Sequence, residues 1–184
     1  MVQQIRISGA GGQGVILAGT ILAEAAGIFE GKTVVQARDY GGAMRGGAAR
    51  SDVLIDDAGE EIDYPVVTSA DFLLAMTQEA ADKWAPAVNK DGIILYDTTN
   101  VLCPPVSSAH VYSVPITSLA QQNMGRVVGA NVIAIGIMQK LTDMVSEDAV
   151  KKALLRRVPG GTEEYNIKAL EIGFKTGQGL TGGG

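Results

Sequence analysis

Ligands for metals and redox clusters are almost missing from this chain. Its 184 residues include one cysteine, Cys103, and one histidine, His110. A lone thiol cannot build an internal disulfide framework, and it points to a reducing compartment. An iron–sulfur cluster takes four thiolates, and a multi-histidine metal site needs further imidazoles; this chain can supply neither. Aromatic residues make up only 5%, with a single tryptophan, Trp84. Charged residues are 19%, against about a quarter in an average domain. Bases are the minority, 15 against 20 acids for a net charge of -5, which argues against a general nucleic-acid binder. The longest apolar stretch, Val15 to Ala26, contains Glu24 and falls short of the ~20 residues that cross a bilayer. The N-terminus has no charged-then-apolar signal pattern. A cytoplasmic protein with no membrane contact is expected. No Gly-Lys-Ser or Gly-Lys-Thr follows the glycine loop, so the Walker pattern is missing. There is also no Gly-Asp-Gly followed by paired asparagines, the signature of a thiamine-diphosphate site.

What the chain has in quantity is glycine, 24 residues, and hydrophobic side chains, 46%. That suits one domain with a real core. Low charge and many glycines fit a subunit of a larger assembly, or else a compact α/β enzyme. The periodicities predict strands at 3–8, 33–38, 51–55, 71–76, 93–96 and 111–114, with 60–63 as a short hairpin partner. Helices are predicted at 13–29, 78–88, 119–124, 126–141 and 147–158, and a last one through Phe174. Thr77, Ser146 and Thr162 are candidate caps. The glycine-rich tail, 177–184, is expected to be disordered, leaving a domain over 1–176. Strands alternating with helices give an α/β fold: a single Rossmann-like domain with a mainly parallel sheet and a glycine-rich loop or hairpin inserted after the second strand. The apolar segment Asn131–Met138 is predicted to be buried, in this core or against another chain.

Two glycine loops carry the candidate site. The first, Gly9-Ala10-Gly11-Gly12-Gln13-Gly14, lies between a strand and a helix. Its spacing has the form of the dinucleotide fingerprint, and a helix start there favours an anion. Asp39 stands where such a site would place its ribose-binding acid, but by itself it reads as the start of a turn. The second loop runs from Asp39 to Arg50. It holds Tyr40, Gly46, Gly47 and, among the glycines, Arg45, with Arg38 and Arg50 on either side. A guanidinium on a yielding loop suits a phosphate or carboxylate. Both loops follow strands and are expected at the carboxyl edge of the sheet. Cys103 beside Pro104-Pro105 reads as a loop residue, His110 as structural, and Trp84 as core or interface packing.

Gly9-x-Gly11-Gly12-Gln13-Gly14-Val15, then Tyr40-Gly41-x-x-x-Arg45-Gly46-Gly47, then Ser51-Asp52-Val53, strongly resembles the gamma subunit of the 2-oxoacid:ferredoxin oxidoreductases. Ile62-Asp63-Tyr64-Pro65, Ala70-Asp71, Gly129-Ala130-Asn131 and the late Tyr165-Asn166-Ile167-Lys168-Ala169-Leu170-Glu171-x-Gly173 are similar to it as well. The late segment looks most like the 2-oxoglutarate branch. Ala43 departs from the glutamate that many members carry. The resemblance implies a multisubunit enzyme that decarboxylates a 2-oxoacid oxidatively, forms an acyl-coenzyme A and reduces ferredoxin. It implies partner alpha and beta subunits, with or without a delta subunit. Thiamine diphosphate, Mg and iron–sulfur clusters would sit in those partners, and coenzyme A would be a shared substrate. This chain would carry no catalytic residue. Gly9, Gly11, Gly12, Gln13, Gly14, Tyr40, Arg45, Gly46 and Gly47 would contact an anionic cofactor or a partner loop on the coenzyme A side. A free-standing NAD(P)-binding protein and a non-catalytic scaffold are the rival readings.

Overall fold

A computed structural model describes residues 2–41, 47–58, 62, 64 and 66–182. Six strands form one sheet: β1 (Val2–Ala10), β2 (Thr33–Tyr40), β3 (Ala48–Asp56), β4 (Ala70–Ala75), β5 (Val88–Asp97) and β6 (His110–Val114). Their order is β2-β3-β1-β4-β5-β6. β1, β4, β5 and β6 pair in parallel. β3 runs antiparallel to both of its neighbours, so it alone opposes the common direction. The α/β fold with a mainly parallel sheet is thus as expected, and the insertion after the second strand is a hairpin whose return arm is a full member of the sheet.

Residue alternation along β1 sorts its two faces. Ile5 and Ile7 are fully buried in the larger core, with α1 (Val15–Glu24), α4 (Ala130–Thr142), α5 (Glu147–Arg157) and α6 (Glu163–Thr181). α3 (Ile116–Met124) joins that core through Ile116 and Ala120. Arg6 and Ser8 belong to the other face, where α2 (Gln78–Trp84) and its flanks make a thinner layer. Arg6 is 4% exposed there. Its Nε and one terminal nitrogen donate to the two carboxylate oxygens of Asp52, both at 2.8 Å. Asp52 is its register partner on β3. The guanidinium also donates to the Val67 carbonyl at 2.9 Å and stacks 4.0 Å from the Trp84 ring. Trp84 is therefore packing, as the sequence suggested, and its partner is a buried cation.

The helices differ from the periodicity in their ends. α1 passes into a π-helical turn, Ala25–Phe29. α2 stops at Trp84 because Pro86 follows, and β5 already begins at Val88. Thr77 and Ser146 cap as expected, accepting from the Ala80 and Ala149 N–H groups. Thr162 does not: its hydroxyl donates to the Pro159 carbonyl at 2.7 Å. Residues 60, 61 and 63 of the expected hairpin partner lie outside the described residues. Val132–Met138 is buried within this domain.

The expected disordered tail is corrected in part. α6 runs on to Thr181, and Gly177 is buried in it. A Cβ on Gly177 would come 3.0 Å from the Ile137 carbonyl oxygen; one on Gly136 would come 2.6 Å from that of Leu170. A Cβ on Gly173 would meet the Ile133 carbonyl oxygen. Gly177, expected in the tail, joins Gly136 and Gly173 of the predicted helices as the contact surface where α6 crosses α4 at backbone distance.

Two substitutions on α6 should therefore have opposite signs. Gly173→Ala places a methyl against backbone that cannot yield, and overpacking of this kind costs about 1–3 kcal/mol. Gly179→Ala meets nothing within 4 Å and should stabilise by up to about 1 kcal/mol through helix propensity. Urea denaturation of the two variants checks this. Asp52→Asn leaves the buried Arg6 charge unpaired and should cost about 3–5 kcal/mol in the same measurement.

Candidate functional site

Because β1 and β2 share a direction, their carboxyl ends lie on one edge, and both glycine loops leave from it. The Gly11 N–H donates to the Gly47 carbonyl at 2.8 Å, so the loops touch. The Gly41 N–H closes the second loop on the Ala48 carbonyl at 2.7 Å. Arg45 and Gly46 lie outside the described residues.

Gln13 anchors the first loop. Its Oε1 accepts from the Ala10 N–H at 2.7 Å, and its Nε2 donates to the Met76 carbonyl at 3.1 Å. The side chain thereby bridges the ends of β1 and β4. Gly9 makes room for it: a Cβ there would come 2.5 Å from the Gln13 Oε1. Gly14 precedes α1 with φ +73°, where an L side chain is strained. A Cβ at Gly14 would also stand 2.5 Å from the Asn131 Nδ2. Asn131, 5% exposed, donates to the Gly14 carbonyl at 3.3 Å.

A cleft of about 820 Å³ opens beside this loop, within the size range of small-molecule sites. Gly12, Gln13 and Gly14 form one wall; Asn131, Tyr165 and Asn166 face them. Asn100 and Thr117 stand at its edge, both placed by Asp97. That carboxylate is fully buried and accepts from the Thr117 hydroxyl at 2.5 Å, the Asn100 Nδ2 at 2.7 Å and the Thr99 N–H at 3.1 Å. Tyr165 lines the cleft with its Oη buried close to Gly129. The lining supplies amides, hydroxyls and one guanidinium, Arg126, among valine and methionine side chains. These groups can bind and orient a ligand.

A second groove of about 450 Å³ lies on the other side of the loop, against Gly11, Arg38, Tyr40 and Arg157. Arg157 is tied to Glu24, whose hydrogen bond and charge push the guanidinium further up from its ordinary value. Tyr40 is 68% exposed. The residues expected to act together are thus divided: Gln13 faces the cleft, Tyr40 faces the groove, and Gly12 and Gly14 border both. Gly9 lines neither; it borders a small pocket under Arg50 and Trp84. Sequence reasoning does not single out Asn131, Tyr165 and Asn166 as site residues, although the motifs that hold them are visible in the sequence.

Asp39 is not a ribose-binding acid. In a dinucleotide site the second strand is next to the first; here β3 lies between them, with Asp39 opposite Arg50 and Arg50 opposite Ser8. Asp39 pairs with Arg50 at 3.3 Å. Among the described residues no group of three or more His, Cys, Asp or Glu could hold a metal ion, and no helix is long and apolar enough to cross a membrane.

The family model for pyruvate ferredoxin/flavodoxin oxidoreductase matches residues 4–176. The chain belongs to this family. It is 38% identical over 182 residues to the 2-oxoglutarate synthase subunit KorC of Methanocaldococcus jannaschii, covering 98% of this chain and 96% of that one. The crystal structure of the gamma subunit of the keto/oxoacid ferredoxin oxidoreductase from Geobacter sulfurreducens superposes with a TM-score of 0.84 at 42% identity, covering 95% and 98% of the two chains. The ketoisovalerate oxidoreductase subunit VorA of Methanothermobacter marburgensis is 32% identical over 92% of this chain, which spans only 35% of VorA. The chain is a gamma-type subunit of a 2-oxoacid:ferredoxin oxidoreductase.

Gln13 is the residue on which the loop geometry turns. Gln13→Ala removes both of its hydrogen bonds and leaves two backbone groups without partners, a loss of about 1–3 kcal/mol. Amide exchange at Ala10 should accelerate accordingly, while exchange in β5 should slow or quicken only with global stability.

Proposed function

We propose that this chain serves in a complex acting on 2-oxoglutarate, in which it shapes the side where coenzyme A approaches and leaves the redox chemistry to its partners. The observation that carries this reading is the convergence of Gly12–Gly14, Asn131 and Tyr165 on one cleft built only for binding. The KorC relatives support the choice of 2-oxoacid through their name. Gly12, Gln13 and Gly14 are the proposed contacts in the cleft, joined now by Asn131 and Tyr165; Gly11 and Tyr40 border the groove, Gly9 serves by making room for Gln13, and Arg45, Gly46 and Gly47 stay proposed contacts of an anionic cofactor or a partner loop.

The donor set of this chain does not fit the redox groups of such an enzyme. One exposed cysteine, Cys103, cannot replace four thiolates. The clusters are therefore assigned to alpha, beta and, where present, delta subunits, and thiamine diphosphate with its magnesium is assigned there too, since this chain has no Gly-Asp-Gly followed by paired asparagines. Ferredoxin would be met through the complex, in the cytoplasm. A free-standing NAD(P) enzyme is disfavoured by the position of β3, which separates Asp39 from the first loop.

Reconstitution with the partner subunits tests the proposal, reading ferredoxin reduction against 2-oxoglutarate and coenzyme A concentrations. The chain alone should reduce no acceptor. Tyr165→Phe should raise the KM for coenzyme A roughly three- to tenfold, the size of one neutral hydrogen bond, with the KM for 2-oxoglutarate unchanged. Arg45→Ala should have a larger effect, about ten- to hundredfold, as a charge-assisted bond. Unchanged kinetics in both variants would remove coenzyme A from this chain.

A further inference from the structure

We propose that Asn100 gives the main cleft a fixed hydrogen-bond acceptor, which selects an N–H donor on the ligand. This inference rests on the coenzyme A reading of that cleft and adds which kind of ligand group is recognised at its β5 edge. Asn100 and Thr117 both line the cleft. Asn100 comes from the loop after β5, Thr117 from the first turn of α3. The loop is held from two sides. The Asn100 and Val101 N–H groups donate to the Asp97 carbonyl at 3.0 and 2.9 Å. The Thr99 hydroxyl lies 3.0 Å from that of Ser118 and accepts from the Ser118 N–H at 3.1 Å, which ties the loop to α3.

The direction of the Asn100 amide follows from the fully buried carboxylate of Asp97. Both carboxylate oxygens accept from this loop and from α3. Oδ1 takes the Thr99 and Thr117 N–H groups at 3.1 and 3.2 Å. Oδ2 takes the Thr117 hydroxyl at 2.5 Å and the Asn100 Nδ2 at 2.7 Å. A threonine hydroxyl has one hydrogen, and here the carboxylate takes it. Thr117 Oγ1 is left as an acceptor, with the Asn100 Nδ2 as donor 3.1 Å away. Turning the amide over would set its Oδ1 against two oxygens with no hydrogen to give it. Nδ2 therefore faces the carboxylate. Oδ1 is the free end of the amide, and among the described residues nothing donates to it.

An acceptor fixed in this way discriminates only among groups whose own polarity is fixed. A ligand hydroxyl can turn to suit either polarity. An amino or amide N–H can only donate, and a carbonyl or ether oxygen in its place would face the Asn100 oxygen unpaired. Coenzyme A offers N–H donors of two kinds: the amino group on its base and the amides of its pantetheine arm. The Asn100 Oδ1 takes one of these. Because the amide is already held in place, little ordering cost is left at binding. Asn100 is thus a specificity-determining residue, and Asp97, acting through Thr117 and Asn100, is a positioning residue.

The test reads kcat/KM in the reconstituted complex for coenzyme A and two analogues. One carries a 6-oxo base in place of the amino base; the other carries esters in place of the pantetheine amides. The wild-type complex should disfavour one analogue by about tenfold through this contact, and which one identifies the donor. Asn100→Ala should erase that preference and lower kcat/KM for coenzyme A about three- to tenfold, with the KM for 2-oxoglutarate unchanged. Asp97→Asn should reverse the chain of bonds: the new amide donates to Thr117, Thr117 donates to the Asn100 Oδ1, and Nδ2 turns outward. The disfavoured analogue should then be used at least as well as coenzyme A, an outcome that mere loss of structure cannot produce. Asn100 is exposed, so Asn100→Ala decides the proposal even if Asp97→Asn folds poorly. A wild-type complex that treats all three alike, or a preference that survives in Asn100→Ala, would overturn it. If that happens while Tyr165→Phe still raises the KM for coenzyme A, the coenzyme A reading stands. If neither variant alters coenzyme A kinetics, both fall.

Discussion

The bidentate pair between Arg6 and Asp52 is the contact on which the arrangement of this domain depends. It joins β1 to β3 across the sheet, buried beneath Trp84, at the point where the chain departs from an ordinary doubly wound order. β3 could not occupy its place between β1 and β2 with an unpaired charge on either side, since a lone buried ion is strongly unfavourable. Arg50, two residues before Asp52, adds a second guanidinium to the same tryptophan at 4.9 Å and reaches Asp52 at 3.5 Å. With β3 held there, the loop between β2 and β3 is delivered beside the loop after β1. The contact of Gly11 with Gly47 follows from that placement.

Glycine serves two separate ends in this fold. At Gly14 the backbone has a positive φ that starts α1, and the missing Cβ lets Asn131 reach the loop. At Gly136, Gly173 and Gly177 the conformation is ordinary helix; what matters is how closely α4 and α6 approach. The first use builds the site. The second lowers the helix propensity of α6 and returns the loss through backbone contact, which is why helix assignment by composition stops too early there.

A division of labour is consistent with this construction. The cleft brings together Gln13 from the loop after β1, Asn100 from the loop after β5, Thr117 from α3, Arg126 from the turn ahead of α4, Asn131 from α4, and Tyr165 and Asn166 from α6. Recognition chemistry of this kind can hold a ligand for a reaction performed on another chain.

The alternation of strand and helix, the two glycine loops and their common edge were legible in the sequence, because each depends on local periodicity and on glycine at set positions. The motifs around Asn131 and Tyr165 were legible as words but not as site residues. Nothing local says that positions 117 and 151 residues beyond Gly14 will close on it. The insertion of β3 was likewise hidden: Arg6 and Asp52 are ordinary charged residues until pairing brings them together, and a strand reads the same whichever neighbour it takes. Asp39 shows the converse: its distance along the chain from the first loop mimics a ribose acid, while β3, lying between β1 and β2, keeps it away. Sequence by itself determined the elements, the edge and the absence of cluster ligands, all local or compositional properties. Only the tertiary structure decided strand order, helix contact and which polar groups share a cleft, because those rest on pairings between residues that the chain keeps far apart.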